Sequence, residues 1–143
     1  MRAIPRIGAT DFPTGDAGLN LSDLAKVSSA KFTHLTTIGR RTGKSHTVEL
    51  WFAFKDGRVY LSHEGRETDW MKNINKNREV SFEIGGKRLT GKGRYLQDGT
   101  SEAWTCKLAL YEKYYGEATK AVIEDWFSLS KVLVIEELAM STP

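Results

Sequence analysis

The sequence contains a single cysteine, Cys106, and only three prolines among its 143 residues. One cysteine excludes an internal disulfide framework and a cysteine-based zinc cluster, and it suits a reducing cytoplasm, where we expect the protein to reside. No apolar run approaches the length of a membrane span, and the N-terminal residues lack the apolar core of a signal peptide. We therefore expect neither a disulfide-rich secreted protein nor a membrane-spanning one.

The sequence also lacks a strong excess of charge of either sign, because it has 21 lysines and arginines and 18 aspartates and glutamates. A formal net charge of +3 is too small to indicate a nucleic-acid-binding protein by itself. The basic residues are not interleaved with aromatic residues along one strand, as a base-stacking surface requires. We therefore expect no nucleic-acid partner, although an anion-binding or nucleic-acid module remains the third hypothesis.

The common catalytic and metal-binding signatures are missing. The chain has no H-E-x-x-H, no G-x-S-x-G, and no histidines and carboxylates at metal-ligand spacing. Its three histidines, His34, His46 and His63, fall in or beside separate predicted strands, so no metal site is expected. Cys106 belongs to an apolar helical face, which favours a packed thiol over a nucleophile. A protein without such side-chain chemistry often relies on a bound cofactor.

The one concentrated signal is the segment GRRTGKS, Gly39 to Ser45, which looks like a nucleotide-binding P-loop. It has three residues between its glycines instead of four, and the residues that follow, HTVELWFAF, alternate with the period of a strand. A P-loop must instead lead into a helix whose N-terminus faces the phosphate. The segment is therefore predicted to be a hairpin loop. Its cations Arg40, Arg41 and Lys44 suit phosphate or carboxylate oxygens, and a solvated basic turn is the alternative.

The rest of the pattern predicts an α+β domain whose strands are joined by hairpins. Six strands are expected, at 31–38, 46–54, 59–63, 79–84, 87–97 and 131–138. A helix is expected from Asp69 to Asn77, and two more, separated by Gly116, between 100 and 130. Residues 1–18 are expected to form an irregular arm before a single domain at 19–143, which opens with a short helix capped by Ser22. The predicted core comprises Val48, Leu50, Phe52, Val80, Phe82 and Ile84.

The block from Leu35 to Ile84 resembles a known family. LTTIGRRTGKSHTVELWF, an Asp-Gly hairpin and then TDWMKNINKN follow the order and spacing typical of split β-barrel flavoproteins related to pyridoxamine-phosphate oxidase. The resemblance is greatest to their deazaflavin-dependent nitroreductase and quinone reductase branch. It implies an antiparallel six-stranded split β-barrel of the FMN-binding type with flanking helices. It also implies hydride transfer from reduced coenzyme F420, with FMN as the alternative cofactor, to a quinone or nitroaromatic acceptor.

The same resemblance implies the positions of the site. Cofactor contacts are implied at Arg40, Arg41, Thr42, Gly43, Lys44, Thr47, Val48, Glu49, Leu50, Trp51, Ser62, His63, Trp70 and Asn73. The first five would hold the phosphate and oligoglutamate tail, the next five would line the ring with backbone groups, and the last four would close the far side. His63, Tyr60 and Tyr95 are candidate proton donors.

Relatives of this family often complete the cofactor cleft with a second subunit, so a homodimer is expected. A non-catalytic flavin, haem or bilin carrier on the same barrel is the alternative to an oxidoreductase.

Overall fold

Residues 27–140, the part of the chain that this computed structural model describes, form seven strands and three helices. The strands are β1 (Thr33–Ile38), β2 (Ser45–Leu50), β3 (Ala53–Lys55), β4 (Arg58–Glu64), β5 (Glu79–Ile84), β6 (Lys87–Leu96) and β7 (Ser130–Met140), and the helices are α1 (Asp69–Lys76), α2 (Ser101–Tyr115) and α3 (Lys120–Trp126). The predicted arm at 1–18 and the helix expected after Ser22 lie outside the described residues. Among those residues, no helix is both long and apolar enough to cross a membrane.

The seven strands form one antiparallel sheet in the order β2-β1-β5-β6-β7-β4-β3. Strands β2 and β3 therefore lie at opposite edges of the sheet, although only Trp51 and Phe52 separate them along the chain. Two residues span so short a distance that the sheet must curl until its edges meet. The result is the antiparallel split barrel with flanking helices that the sequence predicts.

The prediction of a single strand at 46–54 is wrong, and this accounts for seven strands instead of six. Alternation of Val48, Leu50 and Phe52 continues across the break, so the sequence pattern gives no sign of it. At Phe52 the chain passes from one edge of the sheet to the other. Its backbone N–H donates to Tyr114 Oη at 3.0 Å, and its carbonyl accepts from Lys113 Nζ at 2.9 Å.

The three helices predicted within residues 27–140 are confirmed, and their ends have local causes. In α1, Trp70, Asn73 and Ile74 share one buried face, at the three- and four-residue spacing of a helix that packs on a sheet. The Thr100 side chain caps α2 by accepting from the N–H of Ala103 at 3.1 Å. Helix α2 ends at Gly116, whose φ of 89° disfavours any residue with a side chain.

Two apolar clusters form the core. The first fills the barrel and comprises Leu35, Phe52, Val59, Leu61, Trp70, Met71, Ile74, Val80, Phe82, Ile84, Leu89, Leu133 and Ile135. The second joins the outer face of β4 and β7 to α2 and α3, and comprises Ala53, Tyr60, Leu96, Ala103, Cys106, Leu110, Ile123, Phe127, Val132 and Val134. Four of the six predicted core residues are buried, whereas Val48 and Leu50 are only half-buried because β2 is an edge strand. Burial raises the pKa of the Cys106 thiol to about 12, so it stays an uncharged packed group.

Candidate functional site

The barrel is open between β2 and the end of β4. Within residues 27–140, β3 pairs only with Arg58–Tyr60, so Leu61–Glu64 has no strand on that side, and β2 pairs only with β1. Because Trp51 and Phe52 join these two edges of the sheet, both unpaired edges border one split. Helix α1 packs against β1 and β6 beside it. Most of the implied site residues lie along this split.

At one end of the split, the loop Gly39–Lys44 connects β1 to β2 as the predicted hairpin. The N–H of Gly39 donates to the carbonyl of Lys44 at 2.7 Å, and the N–H of Gly43 donates to the carbonyl of Gly39 at 2.9 Å. Gly43 has a φ of 74°, a left-handed conformation that favours glycine. The N–H of Lys44 donates to Thr42 Oγ1 at 3.2 Å. The chain enters a strand after this loop, so the segment is not a P-loop.

Arg40 anchors the loop to α1. Its backbone N–H and its Nη1 both donate to Asn73 Oδ1, at 3.1 and 3.0 Å, and its Nη2 lies 3.4 Å from Asp69 Oδ1. Asn73 is only 2% exposed, and its Nδ2 donates to Thr37 Oγ1 at 3.1 Å. A buried amide that makes three hydrogen bonds holds a rigid position, so the loop is fixed relative to the helix.

Arg41 and Lys44 are exposed, and neither forms an ion pair with any of residues 27–140. A cavity of about 230 Å³ opens beside Arg41, lined by Gly39, Arg40, Arg41, Thr42, His46, Asp69 and Asn73. The Asp69 carboxylate in this lining lies 3.4 Å from Arg40 Nη2, so Arg41 and Lys44 are two cations without an ion pair among the described residues, which suits an anionic group. In the described part of the chain, no cluster of histidine, cysteine and carboxylate side chains could hold a metal.

Trp70 connects this end of the split to the end of β4. It lies one turn before Asn73 on α1, and its ring centroid is 6.3 Å from that of His63, edge to face. His63 and Ser62 are consecutive residues on the unpaired edge of β4. Just before α1, Thr68 Oγ1 is buried and has no hydrogen-bond partner among the described residues.

At the other end of the split, a cavity of about 300 Å³ is lined by Trp51, Ser62, Glu64, Asp125, Trp126, Phe127, Ser128, Leu129 and Ser130, and we call it the aromatic pocket. Trp51 is 38% exposed, Trp126 53% and Leu129 71%. The Trp51 ring stacks on Tyr114 with centroids 4.2 Å apart, and Tyr115 lies 5.0 Å from Trp126. An exposed apolar patch of this kind is typical of a binding surface.

The family of the chain follows from its sequence over most of its length. The family model for F420H(2)-dependent quinone reductase matches residues 21–123. The chain belongs to this family. No curated protein matches the chain.

Solved structures share the fold. An F420-H2 dependent reductase (FDR-A) is 23% identical, with a TM-score of 0.60 over 74% of this chain and 94% of that one. A conserved hypothetical protein from Mycobacterium tuberculosis is 16% identical, with a TM-score of 0.64 over 84% and 82%. A putative pyridoxamine 5'-phosphate oxidase from Listeria innocua is 19% identical, with a TM-score of 0.57 over 85% and 98%. At these identities the likeness shows the split-barrel fold alone.

In this member of the F420H(2)-dependent quinone reductase family, the residues predicted to line the cofactor ring run along β2. Their side chains alternate between the two faces of that strand. Val48 and Leu50 are half-buried against the first core cluster, whereas Thr47 and Glu49 are exposed. Glu49 accepts from His34 at 3.1 Å, and the hydrogen bond to Glu83, followed by this one to Glu49, raises the pKa of that imidazole. One ligand can therefore contact the whole stretch only through its backbone.

The three candidate proton donors lie in different surroundings. Tyr60 is 3% exposed within the second core cluster, and burial raises the pKa of its phenol. Tyr95 Oη donates to Glu67 Oε2 at 2.5 Å, and burial, followed by this bond, raises its pKa as well. His63 is half-buried and is the one beside Trp70 and Ser62 in the split. Their catalytic role stays a prediction.

Sequence reasoning missed Tyr114, Tyr115, Trp126 and Leu129. Tyr114 and Tyr115 follow each other near the end of α2, and the other two lie at and beyond the end of α3. An aromatic-rich helix end was the available signal. It could not show that the end of α3 and the Trp51 crossing line one cavity, with Tyr114 and Tyr115 packed against Trp51 and Trp126.

Proposed function

We propose that this protein is an oxidoreductase that uses reduced coenzyme F420 to transfer hydride to a small conjugated acceptor such as a quinone or a nitroaromatic compound. The observation that carries the proposal is the arrangement along the split. Arg41 and Lys44, which form no ion pair among the described residues, lie at one end, and the exposed aromatic pocket lies at the other. Asn73, Trp70 and His63 lead from the loop to the edge of β4, where Ser62 and Glu64, the neighbours of His63, line the pocket. Membership of the F420H(2)-dependent quinone reductase family supports this cofactor.

The residues present fit the anionic cofactor. Arg41 and Lys44 have no internal counter-ion among the described residues, so they suit a phosphate and a polyglutamate tail. Thr68 Oγ1 is a buried oxygen that has no hydrogen-bond partner within residues 27–140 at the start of α1, a position where a ligand group would complete its hydrogen bonding. Coenzyme F420, when bound, supplies the hydride chemistry.

In this proposal the chain's own residues bind the cofactor, orient the acceptor and donate a proton to the reduced acceptor. Arg40 and Asn73 keep the loop cations at a fixed distance from α1, so binding requires little reorganisation. Trp51 and Trp126 offer flat apolar faces to a planar acceptor in the aromatic pocket. His63 is the proton donor that we propose for the reduced acceptor, because Tyr95 is bonded to Glu67 and Tyr60 is in the core.

The test is a titration of the purified protein with coenzyme F420 and with FMN, followed by reduction of menadione by reduced F420. We expect F420 to bind more tightly than FMN and menadione reduction to depend on Trp51, so that Trp51→Ala raises KM. Tighter binding of FMN would contradict the cofactor assignment. Binding of F420 without reduction of menadione or a nitroaromatic acceptor would favour a carrier.

We also propose that the protein is a homodimer. One solved structure with this fold, 19% identical with a TM-score of 0.60, is a domain-swapped dimer. The outer face of β1, β2 and β5 is open and polar, with a shallow cavity bordered by His34, Thr47 and Arg88. Sedimentation at micromolar concentration is expected to show twice the 16.1 kDa of one chain, and a single species of 16.1 kDa would contradict the dimer.

A further inference from the structure

Two neighbouring side chains of α2, Lys113 and Tyr114, hold the crossing between β2 and β3. Lys113 Nζ donates to the carbonyl of Ala30 at 2.7 Å and to that of Phe52 at 2.9 Å. Tyr114 Oη accepts from the N–H of Phe52 at 3.0 Å and lies 2.7 Å from the carbonyl of Lys31. Phe52 lies between two strands, so α2 supplies the partners that a strand neighbour would otherwise provide.

Tyr114 also contacts the functional side of the crossing. Its ring stacks on Trp51 with a centroid distance of 4.2 Å and an interplanar angle of 12°. Trp51 is the residue before Phe52, and its direction depends on the backbone that Tyr114 Oη and Lys113 Nζ hold. Since Trp51 lines the aromatic pocket, the geometry of the crossing sets one wall of that pocket.

Lys113 holds this position without a counter-ion. None of residues 27–140 forms an ion pair with it, and its Nζ lies 3.4 Å from the centroid of the Phe52 ring. The ionisable group in contact with it is the Tyr114 phenol, whose ring centroid lies 5.1 Å from Lys113 Nζ. The elements around it also carry Glu112 and Tyr111 on α2, Lys55 on β3, and Glu49 on β2, which is bonded to His34. Burial lowers the pKa of Lys113 to about 8.

We propose that Tyr114 and Lys113 are positioning residues that fix the Trp51 wall of the acceptor pocket through the backbone of Phe52. The inference rests on the proposed function, in which the aromatic pocket receives the planar acceptor. It predicts that a change at the hydroxyl of Tyr114, which is directed at backbone, alters the exposure of Trp51 and the binding of the acceptor together.

The first test compares Tyr114→Phe with Tyr111→Phe, a matched control one turn earlier on α2. Tyr114→Phe keeps the stacked ring and loses the bonds to Phe52. Tyr111→Phe likewise keeps its ring, which lies edge to face with Trp126, and Tyr111 Oη forms no hydrogen bond to the crossing among the described residues. We expect Tyr114→Phe to increase acrylamide quenching of Trp51 and to weaken menadione binding roughly two- to tenfold, the equivalent of one lost hydrogen bond. The expected effect is on KM and not on kcat, with no change in the control.

Quenching of Trp51 is obtained by subtracting the signal of a Trp51→Phe protein, which retains the other three tryptophans. This measurement needs neither cofactor nor acceptor. Unchanged quenching in Tyr114→Phe would overturn the positioning role. Failure of menadione to bind the wild-type protein, or equal binding by Trp51→Ala, would instead contradict the acceptor site of the proposed function.

The second test uses the pH dependence that Lys113 gives to the crossing. Because burial lowers the pKa of Lys113, the native crossing is more stable when this lysine is neutral. The free-energy cost of burying the charged lysine is therefore present in full below pH 8 and is relieved as the pH rises towards 10.5, its ordinary pKa. Quenching of wild-type Trp51 should therefore decrease between pH 7 and about 9.5, below the ionisation of tyrosine. Lys113→Arg stays charged and should show no such decrease. Identical pH profiles for the two proteins would overturn the role of Lys113, and this comparison remains decisive if Tyr114→Phe does not fold.

Discussion

Replacing Arg41 and Lys44 together by alanine is expected to weaken coenzyme F420 binding by roughly a hundredfold to ten-thousandfold. Each cation is exposed and unpaired within residues 27–140, so its charge is available to the phosphate or tail carboxylates of the ligand. A hydrogen bond to a charged group is worth about 1.5–3 kcal/mol, and 1.4 kcal/mol corresponds to a factor of ten in affinity. Titration of coenzyme F420 at one fixed ionic strength measures the change.

The chain offers a matched control for this double variant. Lys55, at the end of β3, and Lys87, at the start of β6, flank two other glycine-containing hairpin turns, and neither forms an ion pair within residues 27–140. Lys55→Ala/Lys87→Ala removes the same charge away from the basic loop and should leave F420 affinity unchanged. Equal losses of F420 affinity in both double variants would mean that the effect comes from the net charge of the protein and not from the two loop cations. An unchanged affinity in the Arg41→Ala/Lys44→Ala protein would contradict the proposed cofactor site.

Arg40 has a different role from its two basic neighbours. Its guanidinium and backbone N–H are bonded to Asn73, and Asp69 lies 3.4 Å from Nη2. Replacement of Arg40 would therefore combine a change in the fold with a change in charge, which is why it is left out of the double variant. The sequence presents Arg40 and Arg41 as equivalent. Only the packing of α1 against β1 distinguishes an anchoring arginine from a free one.

Local pattern was sufficient for most of the fold. A run rich in β-forming residues predicted β1, alternation predicted β5 and β6, and the Asp-Gly turn between β3 and β4 follows from backbone chemistry that any sheet shares. The same alternation hid the break at Trp51 and Phe52, because a period of two cannot show where a sheet curls and changes edge. Val48 and Leu50 were predicted to be buried but are only half-buried for a related reason. Their strand lies at the edge of the sheet, and the strand order of the whole sheet decides which strand is at an edge.

The candidate site was predictable at one end and not at the other. The basic loop is a contiguous segment, so its composition and glycines identify it without tertiary information. The aromatic pocket combines Trp51 and Ser62 with the end of α3 and the segment that follows it, more than 50 residues later. Such a site depends on how α2 and α3 pack against β4 and β7, and no spacing along the chain encodes that.

Phe52→Ala is expected to lower the free energy of unfolding by about 3–5 kcal/mol, the usual cost of truncating a buried aromatic side chain. Phe52 is fully buried in the first core cluster, between the two edges of the sheet. Its removal leaves a cavity at the point where the barrel closes and takes away the ring 3.4 Å from Lys113 Nζ. Phe54→Ala is the control, because Phe54 is only half-buried against the same cluster and should cost less. Urea unfolding of both variants measures the difference, and a loss for Phe52→Ala no greater than for Phe54→Ala would show that the crossing does not close the core.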